Sequence, residues 1–208
     1  MDYRQRIIEE AAKMFRIYGI RTVTMDMLAN QMAISKRTIY EVFADKDELL
    51  AGVIEWMAVK QKESMTRIFS ESGNVIEAIF SMLDLMESHF SKMSPAFLLD
   101  IKRFHEKAAE MTKDHGAIPY VNNNAEILRR GIDEGIFRSD IDVELTNKCM
   151  LEVAKMSADQ QIFPPDSFNN SYVLRNLYLN YLRGISTPRG LKLINQYENS
   201  VSNSAKKI

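Results

Sequence analysis

Four consecutive residues, Ser35-Lys36-Arg37-Thr38, bring two hydroxyls and two cations to the start of one short segment, with Tyr40 two positions on. These groups suit DNA. Lysine and arginine meet phosphate charge, hydroxyls donate to phosphate oxygens, and an arginine fork can hold guanine O6 and N7 together. Arg37 is the candidate for that base contact, and Tyr40 can pack its ring while its hydroxyl reaches phosphate. Thr24 and Lys46 flank the segment and extend the DNA-binding set. Lys46 stands at the first position of its helix, where the helix dipole disfavours a cation, so an external phosphate would account for it. From Arg16 to Tyr40 the basic residues are Arg16, Arg21, Lys36 and Arg37 against one acid, Asp26, although the whole chain has a net charge of −1.

Other chemistry finds little footing. His89, His105 and His115 share no close helical spacing and have no cysteine near them, so a surface or pocket-rim role is expected and no metal. Cys149 is the single cysteine and lies on an apolar stripe with Leu145 and Val153, the setting of a buried, inert thiol. One cysteine makes no internal disulfide, which fits a reducing cytoplasm. There is no glycine-rich phosphate loop and no G-x-S-x-G nucleophile motif, so neither an enzyme nor a cofactor is expected. No apolar run is long enough to span a membrane, and the charged opening MDYRQRIIEE is unlike a signal peptide.

The elements that must position the cationic segment are three short helices in close succession. Thr24 caps the first, with Val23 and Leu28 as a hydrophobic staple; Ser35 caps the second, with Ile34 and Ile39; Asp45 caps the third, with Glu48 completing a capping box. The turn between the first two, Met32-Ala33-Ile34, is tight and apolar. This is the sequence form of a helix-turn-helix, whose second helix enters the major groove. Ahead of it, Ile7, Ile8, Ala11, Phe15 and Tyr18 give an apolar stripe ended by Gly19, and Phe43 reads as core. Only 8 Gly and 5 Pro in 208 residues favour long helices, so the fold class is all-α.

The domain expectation is a helix-turn-helix domain over 1–47, a helical effector-binding and dimerisation domain over 48–198, and a polar, disordered tail over 199–208. The helix after Asp45 runs on towards Glu71 as a lever between domains. The 13 methionines, together with Phe80, Met86, Phe97, Phe104 and Tyr120, point to an adaptable apolar effector pocket, although each of these residues alone reads as ordinary core. Apolar stripes through Leu145, Cys149 and Val153 and through Leu174, Leu177, Tyr178 and Tyr181 read as a dimer interface.

Gly19, Thr24, Leu28-Ala29, Ser35, Thr38-Ile39-Tyr40, Phe43, Lys46 and Leu49 stand in an ordered spacing that resembles the TetR family of bacterial transcriptional regulators. The segment Gly131 to Phe137 adds a weaker likeness. The resemblance implies a homodimer that binds a pseudo-palindromic duplex, a small-molecule effector that alters DNA affinity, and a four-helix dimer interface built from the last two long helices of the body. It also shows departures. Ala33 stands where glycine is common, in a turn where a left-handed residue other than glycine costs roughly 1 kcal/mol. Arg37 replaces a frequent glycine, and Glu41-Val42 stands where an aromatic or histidine often reaches phosphate. The functional expectation is a cytoplasmic repressor released by a largely apolar effector. Two alternatives stay open at this point: a DNA binder without effector, and a helical module that uses the same surface for a protein partner.

Overall fold

A computed structural model of the protein describes residues 3–90, 93–94, 96–97, 100, 124–157, 159, 161–164 and 166–205. Its helices are α1 (Tyr3–Tyr18), α2 (Met25–Gln31), α3 (Lys36–Tyr40), α4 (Lys46–Glu71), α5 (Val75–Phe90), α6 (Asn124–Asp133), α7 (Val143–Ser157), α8 (Asn170–Ile185) and α9 (Pro188–Ala205). Among the described residues there is no strand, only an isolated antiparallel bridge between Phe137 and Ser186. The chain is all-α. It forms two compact units, Met1–Ser64 with His89–Pro119, and Met65–Ser88 with Tyr120–Ile208, so α4 contributes residues to both. Of the expected pocket residues, Phe104 and Tyr120 lie outside the described residues.

The first unit is built by short-range rules. Ile7, Ile8, Ala11, Ala12 and Phe15 repeat at helical spacing, and that face of α1 is buried against Ile20, Val23, Leu28, Ile39, Phe43, Leu49 and Val53. Gly19 ends α1 with φ +85°, and its N–H donates to the Phe15 carbonyl at 2.8 Å. Thr24 Oγ1 accepts from the Met27 N–H at 3.1 Å and Ser35 Oγ from the Thr38 N–H at 3.1 Å, which starts α2 and α3 where their caps stand. Asp45 caps α4 through the Glu48 N–H at 2.8 Å. The expected capping box is shifted: Glu48 reaches back to the N–H of Ala44, one residue earlier, at 2.6 Å.

The turn between α2 and α3 holds Ala33 at φ +53°, the left-handed region. It is fixed there by the Ala33 N–H on the Asn30 carbonyl at 3.1 Å and the Ile34 N–H on the Ala29 carbonyl at 3.0 Å. A Cβ in that region costs about 1–2 kcal/mol, and glycine would return about 0.4–1 kcal/mol of that through its freer unfolded chain. Ala33→Gly is therefore expected to stabilise the protein by about 0.5–1 kcal/mol. Thermal unfolding checks this, and a lowered midpoint would mean that the turn tolerates alanine without strain.

The second unit is tied by a few non-local contacts. Arg130 donates to the carbonyls of Phe69 at 2.7 Å and Ser72 at 2.9 Å, the open end of α4, and pairs with Glu134 at 2.6 Å. Glu134 in turn accepts from the Val75 N–H at 2.8 Å, so one ion pair closes one helix and opens the next. Asp142 caps α7, accepting from the Leu145 N–H at 3.0 Å. The polar end expected to be disordered from Asn199 is helical through Ala205. Thr187 caps this helix through the Gly190 N–H at 3.2 Å, Ile194 is buried, and no Pro or Gly follows Gly190 to interrupt propagation.

Candidate nucleic-acid interface

The caps that start α2 and α3 also decide which groups they present. Thr24 and Ser35 lend their oxygens to N–H groups of their own helices, and Ser35 Oγ lies 2.8 Å from Thr38 Oγ1. The α3 helix is only Lys36–Tyr40, anchored from below by Ile39, which has no exposed surface. Lys36, Arg37 and Tyr40 are exposed on its outer side, while Thr38 is half-buried. This places all five residues of the Ser35 to Tyr40 set on one short, rigidly seated element.

The cations on that element are not bare. Lys36 Nζ donates to Asp26 Oδ2 of α2 at 2.6 Å, and this hydrogen bond holds the ammonium above its ordinary pKa. Arg37 Nε donates to Glu41 Oε1 at 3.0 Å. Both pairs are exposed, so each contributes little to folding. Their consequence is electrostatic: the face that would meet DNA carries two acids beside its two cations.

Residues 7–53 match the pattern of bacterial regulatory proteins of the tetR family. The matched span is the first unit's helix-turn-helix, from the buried face of α1 to Val53. Over this span the chain carries the helix-turn-helix of the TetR family. KstR2 of Mycobacterium tuberculosis, an HTH-type transcriptional repressor, is 24% identical over 170 residues, 74% of this chain and 78% of the relative. The structure of KstR2, a ketosteroid transcriptional regulator, matches with TM-score 0.54 over 89% of this chain and 96% of that one, at 21% identity. YhgD of Bacillus subtilis, an uncharacterised HTH-type regulator, is 28% identical over 166 residues, 74% of this chain and 81% of the relative. The fold is also that of the Thermus thermophilus repressor FadR, solved with lauroyl-CoA: TM-score 0.57, 18% identity, covering 88% of this chain and 95% of that one. With this helix-turn-helix and these relatives the chain is a DNA-binding transcriptional regulator, and the relatives are regulators rather than enzymes.

In this TetR-family head Lys46 departs from the expectation of a phosphate contact. Its ammonium turns inward and donates to the carbonyl oxygens of Val23 and, at 3.4 Å, Arg21, the turn between α1 and α2. Burial lowers its pKa, against the opposing pull of Asp100 and Asp47, and the ammonium lies 6.0 Å from the centre of the Phe15 ring. Two carbonyls of the protein thus fill the place expected for an external anion. Lys46→Met, which keeps the apolar stem, is expected to cost about 1–3 kcal/mol of stability by leaving those carbonyls unpaired, with the salt dependence of DNA binding unchanged. Unaltered thermal stability together with a shallower salt dependence would return Lys46 to the phosphates.

The expected effector set is divided. Phe80 and Met86 belong to the core of the second unit, and Phe80 stacks on Tyr197 with ring centres 5.6 Å apart. Phe97 is 2% exposed in the core of the first unit. It is anchored by the Ser94 cap, and its contacts are with the interior of the helix-turn-helix unit.

The expected dimer set also separates. Leu174 and Tyr178, expected at the dimer interface, are instead 6% and 5% exposed and lie in the second unit's core. Cys149, Val153, Leu177 and Tyr181 are half-buried, and Leu145 is 60% exposed. Tyr172 on α8, 66% exposed, is an outer apolar group beyond the expected stripes, and Met156, which continues the stripe of Leu145, Cys149 and Val153 on α7, is also exposed. No group of His, Cys, Asp and Glu among the described residues could hold a metal, and none of their helices is long and apolar enough to cross a membrane.

Proposed function

We propose that the protein is a cytoplasmic homodimeric repressor that reads a pseudo-palindromic operator with α3 and is released from it by a small, largely apolar effector. The observation that carries the DNA reading is the seating of α3. Ile39 and the Ser35 cap fix the helix, while Lys36, Arg37 and Tyr40 project from it with Thr38 at its flank. Lys36, Tyr40 and the hydroxyls of Thr24, Ser35 and Thr38 serve phosphate and sugar, which set register. Arg37 serves a base.

A dimer follows from the geometry of DNA, since two recognition helices about 34–36 Å apart enter successive major grooves on one face. The exposed Leu145 and Tyr172, with the half-buried Cys149, Val153, Leu177 and Tyr181, are the surface on α7 and α8 proposed to close it. The effector reading draws on the core of the second unit, where Met65, Met82 and Met150 accompany Phe80 and Met86. Methionine adapts to irregular apolar ligands. It also draws on FadR, solved with lauroyl-CoA, and on KstR2, a ketosteroid regulator. A ligand that prefers a differently spaced dimer would lower operator affinity by population shift, with α4 as the continuous element shared by both units.

Selection from a pool of randomised duplexes tests this reading. The expected product is two inverted half-sites whose centres are about 10 base pairs apart or a multiple of that. Enrichment of a single, unrepeated site would remove the dimer, and a failure to enrich any sequence would remove the operator. Lauroyl-CoA added to the selected complex is the first probe of the effector: release supports an apolar ligand with a charged head, and retention directs the search to uncharged apolar compounds.

A further inference from the structure

The pair between Arg37 and Glu41 is made by the helix itself. The Glu41 N–H donates to the Arg37 carbonyl at 2.9 Å, and Glu41 keeps helical angles, φ −71° and ψ −19°, although it lies just past the end of α3. The turn therefore continues, and the side chains at 37 and 41 fall on one face, one above the other. Glu41 Oε1 takes the Nε–H of Arg37 at 3.0 Å. Among the described residues neither Nη of Arg37 has a partner, and the side chain is 88% exposed. One edge of the guanidinium is thus engaged, which leaves the edge formed by Nη1 and Nη2, with its two donors side by side, on a largely exposed side chain. A guanine presents O6 and N7 as two adjacent acceptors in the major groove, which is the complement of that edge.

We infer that Glu41 is a positioning residue for sequence readout: it holds Arg37 by Nε so that the outer edge meets a guanine, and it cancels the charge that would otherwise draw Arg37 to any phosphate. The inference rests on the reading of α3 as the recognition helix. Two consequences follow from the carboxylate. An arginine without it is a flexible cation that binds phosphate on every sequence alike, which raises affinity without discrimination. With it, the same arginine gains most where a guanine satisfies the free edge, because at other bases a neutralised guanidinium has little to attract it. Lys36 serves as the contrast, since its ammonium has no planar edge to orient and its pairing with Asp26 affects only charge.

The test is selection of randomised duplexes by the full-length protein, followed by salt titrations on the selected duplex, for wild type, Glu41→Gln, Glu41→Asp, Arg37→Ala and the Arg37→Ala/Glu41→Gln double variant. Wild type should prefer guanine at one position of each half-site. An exposed i,i+4 pair corresponds to about a two-fold preference per half-site, so Glu41→Gln should weaken that preference about four-fold in a palindrome. It should also tighten binding to unselected DNA and steepen the salt dependence by about one counterion per freed arginine. Glu41→Asp, whose carboxylate is one methylene short of Nε, should lose the preference while keeping the shallow salt dependence. In the Arg37→Ala background Glu41→Gln should cause no further loss at the guanine. A preference unchanged in Glu41→Gln overturns the inference, as does an equal loss in the presence and absence of Arg37, which would make Glu41 a direct reader of cytosine N4 or a structural residue. If wild type selects no sequence, the operator reading fails instead, which is a different result from wild-type selection that Glu41 variants share.

Discussion

Gly131→Ala is expected to lower the thermal midpoint by about 6–12 °C, the shift that about 3 kcal/mol produces in a chain of this length. Helix propensity alone argues the reverse, because alanine in a helix interior is about 1 kcal/mol better than glycine. Packing decides the sign. A Cβ at position 131 would lie 2.1 Å from Cδ2 and 2.4 Å from Cε2 of Phe137, a ring that is fully enclosed. The ring has no easy retreat, since its backbone is fixed on both sides. The Phe137 N–H donates to the Gly131 carbonyl at 2.9 Å, the Arg138 N–H to Ile185 at 2.9 Å, and the Thr187 N–H to Ile136 at 2.9 Å. Adding Phe137→Leu to the alanine variant should recover part of the loss by opening room for the methyl. A midpoint equal to or above that of wild type would show that the ring can shift and that propensity wins.

Arg37→Ala is expected to leave folding intact and to relax sequence preference by about 10- to 100-fold at one base pair of each half-site, the value of one bidentate arginine–guanine contact. Folding is spared because the lost ion pair with Glu41 is exposed on both sides and contributes only about 0.3–0.5 kcal/mol. The profile of the loss identifies the contact. If Arg37 reads a base, affinity for unselected DNA and its salt dependence stay near wild type. If it meets phosphate, affinity falls alike on every sequence and the salt slope becomes shallower by about one. Competition of the selected duplex against single-base variants separates the two profiles.

The helix-turn-helix was legible in the sequence because its determinants are local. Thr24, Ser35 and Asp45 accept from N–H groups three residues on, and Gly19 closes the preceding helix through the carbonyl four residues back. A pattern reader needs no tertiary information for such contacts. The role of Lys46 is not legible in the sequence, because its acceptors come from Arg21 and Val23, more than twenty positions earlier, and spacing along the chain does not reveal which loop folds over a cation. Leu174 and Tyr178 show a related limit. An apolar stripe says that a helix face is covered, not whether the chain's own core or a second copy covers it, and here it is the core. The tail illustrates the opposite error: polar composition argued for disorder, but a capped start at Thr187 and the buried Ile194 extend the helix to Ala205. The Arg37–Glu41 pair is legible in the i,i+4 spacing of two residues that both depart from the family pattern.

The central claim is that α3 reads sequence in DNA. The measurement that tests it most directly is a titration of labelled duplexes, the selected site against the same composition in scrambled order, followed by fluorescence anisotropy at two or three salt concentrations. The selected site is expected to bind about 1,000-fold tighter or more at moderate salt, and both duplexes should weaken as salt rises while the ratio between them persists. Equal affinity for the two duplexes at every salt concentration would contradict the claim.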